Sequence, residues 1–99
     1  MIQGRALFLL ASILISASTS LAQDIEAGAQ VYEENCSTCH GERLRPTGAA
    51  PDLKQLGADQ RDRFDLVVQE GKGQMPSWAG VLSDDDRAAI WAYIRSRAN

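Results

Sequence analysis

The chain is poor in the residues that build most metal and nucleophilic sites: two cysteines, one histidine and two methionines among 99 residues. A tetrahedral zinc site needs four ligands. Here Cys36, Cys39 and His40 crowd into five positions, and no other cysteine or histidine completes the set. No segment alternates apolar and polar residues with period two, so no strand is expected. Without strands there is no βαβ scaffold on which a thiol–disulfide oxidoreductase would carry a Cys-X-X-Cys pair. Positive charge is also scarce. Ten basic residues against thirteen acidic ones leave a formal charge of −3, which does not suit a nucleic-acid binder with its dense basic face. The longest apolar run, residues 6–15, is about half of the roughly 20 residues needed to cross a bilayer. There is no internal repeat and no sign of a second folded domain.

Residues 1–22 read as a signal peptide rather than as part of the fold. Arg5 supplies a positive start, residues 6–15 the apolar centre, and Ser20-Leu21-Ala22 the small residues at which a signal peptidase cuts. Cleavage is expected after Ala22, which places the remainder in the periplasm. The residue directly after the cut is Gln23 and not a cysteine, so no lipid anchor is expected, and no stable membrane anchor is expected to remain. The exported part, residues 23–99, is one domain of 77 residues (99 less 22), and losing Arg5 takes the formal charge from −3 to −4. A chain this short is hard pressed to bury an adequate core alone. An exported protein would ordinarily pair its cysteines, but a Cys-X-X-Cys bridge closes too small a loop to staple a fold.

The exported part reads as all-α. Residues 25–40 carry Ile25, Ala29, Tyr32 and Cys36 at helical spacing, with Asp24 as the expected cap. Gly28 within that helix costs about 1 kcal/mol of propensity, so it points to a close helix crossing. Residues 41–56 hold Pro46, Gly48 and Pro51 and read as a loop, apart from a short turn at Pro51-Asp52-Leu53. Residues 57–70 read as a second helix, capped by Asp59, with Phe64, Val67 and Val68 on its buried side. Gly71 and Gly73 end it. Met75 precedes Pro76, which disfavours helix there. Ser83 opens the last helix, Asp84, Asp85 and Asp86 load its positive end, and Ile90, Tyr93, Ile94 and Arg97 follow at helical spacing.

The chemistry concentrates in Cys36-Ser37-Thr38-Cys39-His40, which reads as an attachment site for a c-type haem. Two thiols three residues apart on one helical turn reach the two vinyl groups of a single porphyrin. His40, next to the second thiol, is then placed under the ring as the proximal ligand. Its other nitrogen needs a carbonyl to fix the tautomer, and Pro51 is the candidate. Once the leader is gone, Met75 is the only methionine, and its glycine-flanked loop suits it to the distal position. A thioether favours ferrous iron and raises the reduction potential. It also fills the sixth coordination site, which points to a one-electron carrier rather than an enzyme. The porphyrin would supply the apolar surface that so short a chain lacks, and without it the polypeptide is expected to be largely disordered.

These residues together resemble a small, single-haem class I cytochrome c of the bacterial kind. The likeness spans residues 25–97 and includes Gly28 and Tyr32 before the attachment run, Pro51-Asp52-Leu53, Met75-Pro76 and Ile90-Trp91-Ala92-Tyr93-Ile94. It implies three to four helices wrapped around one covalently attached haem c. Gly28 and Tyr32 of the first helix would then cross Ile90, Tyr93 and Ile94 of the last. The stretch from Met75 to Tyr93 is also similar to cytochrome domains that serve quinoprotein dehydrogenases, which implies a periplasmic donor of that type. One departure concerns the propionates. The longer mitochondrial members bond one of them with a tryptophan well before the axial methionine, and this chain has none there. Trp78, Trp91, Arg43, Arg45 and Lys54 remain open as substitutes.

The expected partners are redox proteins that dock transiently on a monomer. A dehydrogenase or quinol-oxidising complex would be the donor, and an oxidase or another cytochrome the acceptor. Arg43, Arg45, Lys54 and Lys72 flank the segments expected around the haem and would form a modest basic rim that steers an acidic partner. Two further readings stand beside this one. In the first, Met75 is displaced and the iron acts as an enzyme or gas sensor on peroxide, NO or oxygen. In the second, the chain is a tightly bound subunit of a larger quinoprotein dehydrogenase.

Overall fold

The computed structural model describes residues 16–99, and every regular element among them is helical. The order is α1 (Ser16–Asn35), α2 (Ser37–His40), α3 (Arg61–Glu70) and α4 (Asp84–Ser96). Short 3-10 turns at Glu42–Leu44, Leu53–Gln55 and Ala58–Gln60 fill the loops between α2 and α3. Among the described residues the sole β-type pairing is an isolated bridge between Lys72 and Met75. The all-α expectation therefore holds. Most of the expected leader, residues 1–15, lies outside the described residues.

The first helix differs from the expected residues 25–40 at both ends. Asp24 lies inside α1 rather than capping it, because the Leu, Ala and Gln before it are good helix formers that continue the ladder. At the other end the helix breaks at Cys36 into α1 and α2. Side chains compete with the backbone there. The Asn35 amide donates to the Val31 carbonyl at 2.9 Å and the Ser37 hydroxyl to the Glu33 carbonyl at 2.6 Å, which loosens the regular ladder. Cys39 then bonds back only three residues, to the Cys36 carbonyl at 3.3 Å.

The second helix also starts differently. A 3-10 turn precedes α3, and its reciprocal cap belongs to Gln60 rather than to Asp59. The Gln60 side-chain oxygen accepts the Gly57 amide proton at 2.8 Å while the Gln60 amide donates to the Gly57 carbonyl at 3.0 Å. An amide side chain reaches back over three residues more comfortably than the shorter Asp59 does over two. The last helix begins as expected: Ser83 and Asp86 exchange side-chain-to-backbone bonds of 3.0 Å each way.

Helices α1 and α4 cross at Gly28. A Cβ there would stand 1.9 Å from the Ala89 carbonyl oxygen, so only a residue without a side chain allows this approach. One turn further on, the rings of Tyr32 and Tyr93 meet at 5.4 Å, tilted by 50°, with Ile90 and Ile94 buried beside them. Helix α3 packs on α4 through Phe64 and Trp91, whose rings lie 5.2 Å apart. Asp65 bridges the same pair of helices, pairing with Arg61 at 3.0 Å and Arg87 at 3.3 Å. The Arg95 guanidinium donates to the Leu56 carbonyl at 2.6 Å and ties the end of α4 to the central loop. Eight apolar side chains form the core: Tyr32, Leu44, Phe64, Val68, Leu82, Ile90, Tyr93 and Ile94.

Candidate haem-binding site

A cavity of about 660 Å³ divides this core. Cys36 and His40 border it from the α1–α2 turn, Pro51 and Leu53 from the central loop, and Phe64, Val67 and Val68 from α3. Met75 and Trp78 close it from the next loop, and Leu82, Ile90 and Ile94 complete the wall. Five of the eight core residues are cavity walls, so the core is arranged around a space rather than filled. Native interiors hold few voids larger than a water molecule. Apolar walls give water too few partners to fill such a void, so it calls for a large, mostly apolar occupant. Its volume lies within the roughly 300–1,000 Å³ of cofactor pockets.

His40 is fixed from two sides. Its Nδ1 lies 3.1 Å from the Pro51 carbonyl oxygen. A carbonyl only accepts, so Nδ1 carries the proton and donates it, and Nε2 keeps a free lone pair for a metal. On the other side the chain turns sharply at Gly41, where φ is +98° and a Cβ would stand 1.6 Å from the Arg45 carbonyl oxygen. The Gly41 carbonyl accepts the buried Tyr32 hydroxyl at 2.7 Å. The turn beyond it holds Arg43 and Leu44 at φ of 54° and 63°, a conformation that sequence pattern did not reveal.

Met75 sits on a loop closed against the end of α3. The Gly71 amide donates to the Val67 carbonyl at 2.8 Å and the Trp78 amide to the Val68 carbonyl at 2.9 Å. The Ser77 hydroxyl reaches the Gln69 carbonyl. Lys72 and Met75 exchange two backbone bonds of 3.0 Å. The loop is therefore held at its base and within its turn, and Met75 is half-buried at the cavity wall.

Cys36, His40, Pro51 and Met75 thus share one cavity, whereas Cys39 is exposed on α2 and is not among its walls. Burial pushes the Cys36 thiol up from 9.0 to about 11, and Cys39 and Glu33 act in the same direction. A thiol kept protonated in this way is a poor thiolate nucleophile, which is unlike a redox-active Cys-X-X-Cys pair.

Few of the candidate propionate partners lie at the cavity. Of Trp78, Trp91, Arg43, Arg45 and Lys54, only Trp78 borders the cavity. Trp91 packs on Phe64. Arg43 borders a separate shallow pocket with Glu33, Glu42, Tyr93 and Arg97. Of the expected basic rim only Lys72 is at the cavity, and it is joined there by Arg63. Sequence reasoning passed over Arg63 and Gln60. The available signal was their spacing, since they precede Phe64 and Val67 on the same helical face.

Residues 23–94 match the family model described as cytochrome C oxidase, cbb3-type, subunit III. Cytochrome c6 of Euglena gracilis is 33% identical over 78 residues, which cover 72% of this chain and 90% of that protein. Cytochrome c6 of Picosynechococcus sp. is 35% identical over 105 residues, covering 94% of this chain and 90% of that one. A third relative is the quinohemoprotein alcohol dehydrogenase ADH IIB of Pseudomonas putida, 33% identical over 82 residues. It covers 80% of this chain but only 12% of the dehydrogenase. No solved structure gives a significant match. The chain belongs to the cytochrome c family of haem-bearing electron carriers. No described helix is long and apolar enough to cross a membrane.

Proposed function

We propose that residues 23–99 form a periplasmic one-electron carrier built on a single haem c. Cys36 and Cys39 hold the haem through two thioethers, and His40 and Met75 ligate its iron. When bound, the haem supplies a reversible one-electron couple. The chain's own residues do the positioning. Pro51 holds His40 in the tautomer with a free Nε2, and the closed loop at residues 71–78 offers the Met75 thioether, whose softness favours the reduced state. Phe64, Val68, Leu82, Ile90 and Ile94 keep water away. His40 and Met75 would together supply the iron's protein ligands and leave no room for a substrate, which supports carriage rather than catalysis. The observation that supports this most directly is that the attachment turn and the one methionine of the exported part border the same apolar cavity.

The test is a mass increase of one haem with no titratable thiol, together with the weak far-red ferric band of a thioether ligand. A high-spin ferric spectrum would turn the reading to the enzyme or gas sensor. The likeness to part of a quinohemoprotein alcohol dehydrogenase supports a quinoprotein dehydrogenase as donor, and an oxidase or another cytochrome is the acceptor. The same likeness favours a second reading, a subunit held permanently by such a dehydrogenase. Co-purification of a large catalytic chain in stoichiometric amount decides for it, and a monomer that exchanges electrons transiently decides for the shuttle.

A further inference from the structure

The ionisable side chains bordering the cavity are Cys36, His40, Asp52, Arg63 and Lys72. Asp52 is engaged, since its Oδ1 accepts the Lys54 amide proton at 3.0 Å and caps the 3-10 turn there. Arg63 is both exposed and part of the wall, so it stands at the cavity mouth. It makes no ion pair among the described residues, unlike Arg61 and Arg87, which share Asp65. One helical turn before it, Gln60 is half-buried in the same wall. Its side-chain oxygen is taken by the Gly57 amide, so its NH2 group is left as a donor held in a fixed orientation. A cation without an anion and an amide presenting only donors therefore stand together where the 3-10 turn at Ala58–Gln60 runs into α3, at the edge of an otherwise apolar space.

We propose that Gln60 and Arg63 take the carboxylates of the group that fills this cavity, with the exposed Lys72 of the same wall contributing charge; this rests on the haem reading above. A haem carries its two propionates on one edge, and a charged guanidinium with a fixed donor suits such carboxylates. The cation keeps the carboxylates ionised and favours the electron on the iron, since reduction adds negative charge beside it.

The test measures reduction potential against pH in the haem-loaded protein for wild type, Arg63→Gln, Arg63→Lys and Gln60→Glu. Gln60→Glu keeps an acceptor for the Gly57 amide, so the cap survives while the donor becomes an anion. Arg63→Gln and Gln60→Glu are expected to weaken reduction about threefold, or about 28 mV at 59 mV per decade for one electron. In both, the pH-dependent step moves to higher pH, as for a carboxylate that has lost its cation or gained a like charge. Arg63→Lys stays near wild type. Unchanged potentials and pH profiles in Gln60→Glu and Arg63→Gln, with haem content and axial spectrum intact, overturn the proposal. If Arg63→Gln fails to load haem, Gln60→Glu alone decides. Absence of covalent haem from the wild type instead overturns the reading beneath it.

Discussion

Replacing Gly28 by alanine sets two effects of opposite sign against each other. Within a helix, alanine is favoured over glycine by about 1 kcal/mol, so local propensity predicts stabilisation. The crossing predicts the reverse. The new Cβ would lie 1.9 Å from the Ala89 carbonyl oxygen, 2.4 Å from its carbon and 3.0 Å from the Ile90 nitrogen, where ordinary contact begins at 3.4 Å. All three atoms are backbone of α4, so no side-chain rotation relieves the clash, and the helices must separate by about 1.5 Å. Separation loosens Tyr32 against Tyr93 and moves Ile90 and Ile94, which are both core and cavity wall. Overpacking typically costs ~1–3 kcal/mol, and a backbone collision belongs at the top of that range. The net is a loss of about 2 kcal/mol, or a fall in melting temperature of about 8–16 °C for a domain this size. Thermal unfolding of the haem-loaded protein, followed by far-UV circular dichroism, measures it. Ala27→Gly, at an exposed position on the same helix, isolates propensity and is expected to cost about 1 kcal/mol. A Gly28→Ala protein that melts at or above wild type would refute the argument.

A Cys36→Ala, Cys39→Ala double variant lacking haem is expected to lose most of its helicity by circular dichroism, because the cavity then has no filler; native-like helicity would contradict this. Tyr32→Phe removes the donor to the Gly41 carbonyl and is expected to cost about 1–3 kcal/mol in denaturant unfolding, since a buried acceptor is left unpaired. Burial, ahead of Cys36 and Glu33, holds the Tyr32 phenol well above its ordinary 10.0. The native chain then keeps a proton that the unfolded chain releases, so stability falls as pH rises past 10. Tyr32→Phe is expected to flatten that alkaline fall, leaving the smaller share of Tyr93, which burial raises in the same direction. A fall of unchanged slope would dismiss Tyr32 as a source. Met75→Ala is expected to abolish the far-red ferric band and lower the reduction potential; a band that persists would remove Met75 from the iron.

Local spacing was enough to make the helices, the Ser83 cap and the candidate ligand set legible. Cys36, Cys39 and His40 fall within five consecutive residues, and Met75 is conspicuous because residues 23–99 hold no second methionine. Gly28 announced a crossing because a glycine in a helix needs a reason. What escaped the sequence depends on competition between nearly equal local options. The break at Cys36 and the Gln60 cap in place of Asp59 turn on side-chain bonds formed in the folded chain, and the positive φ angles at Arg43 and Leu44 fall on residues that carry no glycine-like signal.

The residue sequence by itself determined the helical class and the scarcity of metal ligands, because these follow from periodicity and composition alone, and the spacing of Cys36, Cys39 and His40 pointed to the cofactor. Only the tertiary structure decided which charges face the cavity. Arg43, Arg45 and Lys54 lie as near to the attachment run or Pro51 in sequence as any cation, yet Arg63 and Lys72 are the ones at the mouth. Position in the chain sets where a side chain starts. The packing of α3 against α4 and the closure of the Met75 loop set where it ends, and electrostatics acts at that final distance.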